Sequence, residues 1–275
     1  MTRLASWQDY GTHDESAYPE LWRGCVGAWA PCLGPTGLRL HDLSRYRNWG
    51  TLTNMDAATD WVVSGGRYAL DTDGVNDYLV MPCPVIGTQD YTFAGFFQQV
   101  TGATAIDIAC PSNTISTNST GYNFPRIAIR ETLIQVSIDP RGAYQASTAG
   151  DSLWHHIAIV RRSGSVELYL DGRQLSLSTT GTNFDQAGYS FSGTSFFIAR
   201  INLSFLPLDF YTSGRIDDCR LHLNALSPFH IRTLATRRGI AYERRKRRSV
   251  FFDAAFFNPA WARNSNVILS PVGAA

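Results

Sequence analysis

The stretch YALDTDGVNDYLV, residues 68–80, limits what this chain can fold into more than any other. It alternates at the two-residue period of a half-buried strand, and Asp73-Gly74 interrupts it midway, with Asn76 and Asp77 close behind. Glycine supplies the backbone freedom of a tight turn, while short carboxylates and amides bond neighbouring backbone groups there. The stretch therefore predicts two strand arms around a tight turn.

The same signals recur along the chain. GCVGAWAPCL (24–33) reads as a first strand, and YTFAGFFQQV (91–100) as a central one. ATAIDIACP, FPRIAIRE, TLIQVSID, LWHHIAIVRR and SFFIARI are β-branched and aromatic segments broken by Gly, Pro, Asn and Asp. Turns are expected at Gly65-Gly66, Ser163-Gly164 and Asp171-Gly172, and Trp61 is expected to pack on the sheet. The one helix signal is Ser227 followed by Pro228, an N-cap with proline at the first helical position; it predicts a helix to about Arg237, ending near Gly239. Strands without intervening amphipathic helices predict an all-β, two-sheet antiparallel sandwich rather than a βαβ fold.

Four stretches resemble laminin-G-like and concanavalin A-like jelly-roll domains, in the order that family shows. LRLHDLSRYRNWGTLTNM (38–55) is similar to its DSSGNGNHGTL turn, with Asp42, Ser44, Asn48 and Gly50 at the turn positions and Arg45, Tyr46 and Trp49 in the variable ones. DGVNDYLV matches its FDGVNDYV signature. Residues 153–175 resemble a strand pair of the family, and SGRIDDCRLHLNALSPFHIRTLATRRG (213–239) its last core strand and short helix. The resemblance implies a jelly roll over residues 21–239, flanked by an N-terminal arm (1–20) and a C-terminal tail (240–275). Trp7, Tyr10 and Tyr18 are candidate anchors in that arm.

The chain of 275 residues, 44% hydrophobic, can bury a sizeable core. It has no apolar run long enough for a transmembrane helix, and its polar start lacks the apolar core of a secretory signal, so export by general secretion is not expected. Five cysteines, an odd number, then point to buried free thiols rather than disulfides. The net charge of +1 conceals an asymmetry. Residues 1–227 carry 15 Arg against 21 acids, net −6, whereas residues 228–275 carry nine Arg and Lys against two acids, net +7.

Because the resembling fold includes glycoside hydrolases, paired carboxylates would be the mark of an active site. The five glutamates show none of the Glu-x-Asp-x-Glu spacing of glucanase strands, and Asp71 and Asp73 fall in the signature strand and turn. His155 and His156 point to opposite strand faces and cannot share an ion. The expectation is a non-enzyme. Resemblance to calcium-holding jelly rolls makes Ca²⁺ a candidate at Asp42, Asp73, Asn76 and Asp77, with Asp217 and Asp218 the other acids considered. Loop aromatics Tyr46, Trp49, Tyr122, Tyr144, Tyr189 and Tyr211 are candidates to stack on sugar faces.

The tail joins the basic run Arg244, Arg245, Lys246, Arg247, Arg248 to Phe251, Phe252, Phe256, Phe257 and Trp261. A nucleic-acid contact, a nuclear address and an assembly element are all open to such a run. The aromatics favour assembly, with other virion proteins or with copies of this chain as partners. Together with RRGIAYE, these features resemble proteins found among phage structural genes. The expected function is a structural or adhesive component of a bacteriophage particle (capsid decoration, head fibre or tail) with a possible glycan ligand. The alternative is a bacterial cell-surface or secreted carbohydrate-binding module.

Overall fold

The computed structural model describes residues 14–82, 84–99, 106–111, 126–129, 133–139, 142–147, 152–176, 178–179, 195–202, 209–211 and 213–245. The chain divides after Arg244 into two units, and the first holds everything below. Among the described residues, antiparallel strands form sheets of eight and nine strands and a two-stranded ribbon, Arg200–Asn202 with Asp209–Tyr211. The first sheet runs Arg173–Gln174, Ser165–Leu170, Trp154–Arg162, Tyr91–Gln99, Ser213–His222, Arg67–Asp73, Trp61–Ser64. Cys25–Trp29 pairs with the far half of Ser213–His222. The second sheet runs Ser178–Thr179, Gly142–Ser147, Leu133–Asp139, Arg126–Ile129, Ile106–Pro111, Ser195–Ile198, Tyr78–Pro82, Gly50–Thr53, Arg39–Leu40. The all-β jelly-roll sandwich expected from the sequence is the observed fold.

One core joins the two sheets. Phe93, Phe97, Ile157, Ile159, Ile216 and Leu221 of the first meet Leu40, Leu52, Leu79, Met81 and Ile198 of the second. Trp29 and Trp61 pack into the same core. Gly27 is small because the Trp29 indole lies where its Cβ would project. The first sheet is also covered on its outer face. Leu21, Leu226, Ile231, Leu234 and Ile240 close over Ala94, Ala158 and Val160, the alternate positions of the same strands. Burial on both faces explains why YTFAGFFQQV is nearly continuously apolar rather than cleanly alternating.

Three two-residue turns close hairpins at Gly65-Gly66, Ser163-Gly164 and Asp171-Gly172, each with both residues at positive φ. That geometry matches the right-handed twist of paired strands. The signature stretch corrects its expectation. Its arms do not form a hairpin, because Arg67–Asp73 belongs to the first sheet and Tyr78–Pro82 to the second. Asp73 Oδ1 accepts the backbone N–H groups of Val75, Asn76 and Asp77. That bonding turns the chain outward into the other sheet instead of back along its own edge.

The helix spans Pro228–Ala235, two residues shorter than expected, and the Ser227 hydroxyl accepts the His230 N–H as its N-cap. Residues assigned to the arm and the tail also join the body. Ser16 bridges Arg244, the Ala17 N–H donates to the Glu243 carbonyl, and Ser16 Oγ and Trp22 Nε1 both donate to the Ala241 carbonyl. Tyr18 packs on the outer cluster. Trp7, Tyr10 and residues 246–275 lie outside the described residues.

Candidate functional site

Asp42 organises a loop that exposes two aromatic side chains. Its Oδ1 accepts the N–H groups of Ala28 and Ser44, at 2.7 and 2.8 Å. Its Oδ2 accepts the Ser44 hydroxyl and the Asn48 N–H, at 2.7 and 2.8 Å. A short acid followed by Ser and Asn favours such self-bonded loops. Asn48 ties the loop to the first strand from both ends, donating Nδ2 to the Val26 carbonyl while its own carbonyl accepts Trp29 Nε1. The loop is thereby fixed between Cys25–Trp29 of one sheet and Arg39–Leu40, the outermost strand of the other.

What this clamp presents is aromatic and cationic. Tyr46 is 54% exposed and Trp49 38%, and Leu38, at the start of the same stretch, is exposed too. The Arg39 guanidinium lies over the Trp49 ring, 4.9 Å from its centroid. His41 stacks on the same indole at 5.0 Å and 14°. Arg45 approaches the Tyr46 ring at 6.0 Å, and Arg47 is exposed between the two aromatics. Tyr46 is therefore the more openly presented ring, and Trp49 also holds its cationic neighbours in place.

Of the other predicted stacking residues, Tyr211 has a described side chain. Tyr211 is half-buried against Tyr78, ring centroids 6.0 Å apart. Tyr144 is described only as backbone in Gly142–Ser147, and Tyr122 and Tyr189 lie outside the described residues. Sequence reasoning passed over Arg39 and His41. Their signal was present: three arginines and a histidine within residues 39–47 of an otherwise acidic body.

The calcium candidates do not assemble. Asp42 has both oxygens engaged by four donors, as above. Asp73 and Asp77 sit together in the corner, where Asp77 Oδ2 accepts the Asp73 N–H and Asp73 Oδ1 caps three amides. Burial, reinforced by Asp73 and Asp60, pushes the Asp77 carboxyl up to about 6. Asn76 accepts the Asn54 amide on its carbonyl. No group of three or more His, Cys, Asp or Glu among the described residues is arranged to hold a metal ion.

Asp217 and Asp218 serve structure. A bulge in Ser213–His222, with Asp218 at φ +50, sends both carboxylates toward the outer layer. Asp217 pairs with Arg67 and Arg238 at 3.2 and 3.5 Å. Asp218 pairs with Arg220 at 3.0 Å and accepts the Gly239 N–H at 2.9 Å. Arg220 lies between the rings of Trp22 and Tyr242, 4.6 and 4.4 Å from their centroids. This buried charge locks the 238–242 segment onto the sheet. Arg244, expected to act in assembly, is bound within its own chain, to Glu15 at 3.0 Å.

A laminin G family model described as "Concanavalin A-like lectin/glucanases superfamily" matches residues 73–232, more than half of the chain. The chain belongs to the concanavalin A-like lectin/glucanase superfamily. The match begins at Asp73, so the Asp42 loop lies ahead of it. No curated protein matches the chain in sequence. Similar solved structures include the binding domain of Paraclostridial Mosquitocidal Protein 1, with TM-score 0.56 and 12% identity over 78% of this chain and 52% of that one. Another is Trypanosoma rangeli sialidase, with TM-score 0.54 and 16% identity over 77% and 32%. A third is the binding domain of botulinum neurotoxin DC in complex with SialylT, with TM-score 0.53 and 12% identity over 78% and 52%. At these identities the likeness is one of fold. This superfamily member spans 52% of the toxin domains and 32% of the sialidase.

Because the superfamily includes glucanases and the similar structures a sialidase, two polar constellations bear on catalysis. Glu167 accepts the Tyr169 hydroxyl at 2.8 Å and Arg162 Nε at 2.9 Å. Burial and Glu167 push the Tyr169 hydroxyl up to about 12, so at neutral pH it is the protonated donor of the Glu167 hydrogen bond. Burial raises Glu167, but the Arg162 and Tyr169 hydrogen bonds outweigh it and hold the carboxyl below its usual range, unsuited to a general acid. His155 Nδ1 pairs with Asp171 Oδ2 at 2.8 Å on the surface, while His156 turns inward against Phe96. The two histidines face apart, as their spacing predicts. The described cysteines Cys25, Cys32 and Cys219 are free and buried.

Proposed function

We propose that this chain is a non-catalytic recognition module that binds sugar on the Asp42-clamped rim, and that it is carried on a larger particle, a bacteriophage virion, by the segment after Arg244. The observation that carries the reading is one loop, rigidly tied to both sheets, that leaves Tyr46 and Trp49 in solvent. A large aromatic kept exposed on a fixed frame costs burial energy of roughly 1.5–3 kcal/mol per side chain, and ligand contact returns it. Proteins of the same fold support the reading in kind: a botulinum neurotoxin DC binding domain binds SialylT, and a type C neurotoxin interacts with ganglioside. The five glutamates, none in the Glu-x-Asp-x-Glu spacing of glucanase strands, support the non-catalytic part.

A glycan array tests the rim. Wild-type protein is expected to bind a subset of glycans, and Tyr46→Ala to lose them with an unchanged thermal midpoint. Absence of any bound glycan, or full binding by both Tyr46→Ala and Trp49→Ala, would refute the site. The carrying role is tested by truncation after Arg245, which spares the 240–244 contacts. The truncated chain should fold, yet no longer co-purify with particles.

A further inference from the structure

We infer that the rim selects acidic sugars, those bearing a carboxylate or a sulfate, over their neutral counterparts. The inference rests on the reading of the rim as a sugar site and adds the class of ligand. Residues 38–50 contain Arg39, Arg45, Arg47 and His41 against one acid, Asp42. That acid is 4% exposed and has both oxygens bonded within the loop, so it offers the surface nothing.

Some arginines elsewhere in the body, such as Arg23, Arg173 and Arg232, are likewise exposed without a carboxylate partner among the described residues, and others are ion-paired. Arg67, Arg162, Arg215 and Arg220 each pair with a carboxylate. Arg39, Arg45 and Arg47 contact no carboxylate among the described residues, and the first two rest against aromatic rings. A guanidinium held over a ring keeps its planar N–H fork available at the edge, which suits a two-oxygen anion such as carboxylate or sulfate. The remainder of residues 1–227 is net acidic, so within that span attraction to anions centres on this loop, and the Arg39, Arg45 and Arg47 variants separate it from attraction to the basic run Arg244–Arg248. Tyr46, open beside Arg45, supplies the face for the sugar ring.

Isothermal titration of the full chain tests this with matched pairs: a sialoside against its asialo form, a uronate oligosaccharide against its carboxyl-reduced form, and a sulfated oligosaccharide against its desulfated form. At least one acidic member should bind tenfold or more tightly than its partner, and affinity should weaken several-fold between low and high salt. The pair that responds identifies carboxylate or sulfate as the recognised group. Arg39→Gln and the double variant Arg45→Gln/Arg47→Gln should each lower acidic-sugar affinity at least fivefold without shifting the thermal midpoint. Equal affinity for acidic and neutral members, dependent on Tyr46, would overturn the inference and leave the sugar site standing. Binding of no saccharide would overturn both. Binding of a DNA duplex as tight as that of the best acidic sugar would overturn the selectivity claimed here.

Discussion

Replacing Asp42 with alanine removes the acceptor of four hydrogen bonds while leaving every donor in place. Two donors have nowhere else to turn, since Ala28 lies fully buried in the first strand and Ser44 is only 6% exposed. Hydrogen bonds to a charged acceptor contribute about 1.5–3 kcal/mol each, and an orphaned buried amide costs about 1–3 kcal/mol. Asn48 is half-buried, so water recovers part of its loss. The contributions are not additive, and a total of about 3–5 kcal/mol is expected for Asp42→Ala. Asp42→Asn is the discriminating partner. Its carbonyl still accepts from Ala28 and Ser44, but its amide then faces the Asn48 N–H, donor against donor, so about half the penalty should remain. Urea denaturation at neutral pH, with an unchanged denaturant slope, gives both numbers. A penalty below about 1 kcal/mol for alanine, or equal penalties for both variants, would refute the clamp. Glycan affinity should fall with loop order in the same ranking.

Three further outcomes follow from buried groups. Burial pushes His156 down to about 4, and burial with the nearby Arg220 pushes His222 down to about 3, so the folded state keeps both neutral. Below their ordinary value near 6.5 the unfolded chain takes up protons that the folded chain refuses, so stability falls as pH drops from about 6.5 toward 4, by about 2 kcal/mol per histidine at pH 5. Asp77, raised to about 6, works in the opposite direction; His156→Leu should flatten the net fall in the urea midpoint, and an unchanged fall would count against this account. Asp218→Ala strands the buried Arg220 charge and should cost about 3–5 kcal/mol in the same assay, with protease cleavage near 240–244 accelerated; a loss under about 1 kcal/mol would contradict the locking role. Gly27→Ala drives a methyl group into the Trp29 indole and should destabilise by more than about 1 kcal/mol with a changed tryptophan emission, and a neutral result would show that the core gives way there.

Local chemistry made much of the fold legible. Gly-containing pairs at positive-φ turns, Ser227 before Pro228, and β-branched strand runs carry their signal within a few residues. Partner choice was less accessible. Asp73-Gly74 reads locally as a hairpin turn, and only long-range pairing with Ser213 on one side and Thr53 on the other makes it a corner between sheets. Of the proposed rim, Tyr46 and Trp49 stood out by composition. The role of Asp42 did not, because a carboxylate that caps four donors and one that awaits a cation look alike in a sequence. Asp217-Asp218 posed the related difficulty that adjacent strand residues should face apart, and a bulge removes that constraint.

The bridge between Ser16 and Arg244 also sets how the domain carries load. The two flanking segments leave it from adjacent points, joined by that bridge, the Ala17–Glu243 bond and the Glu15–Arg244 pair. Tension applied through both segments would unzip these few contacts first and would not be transmitted across the sandwich.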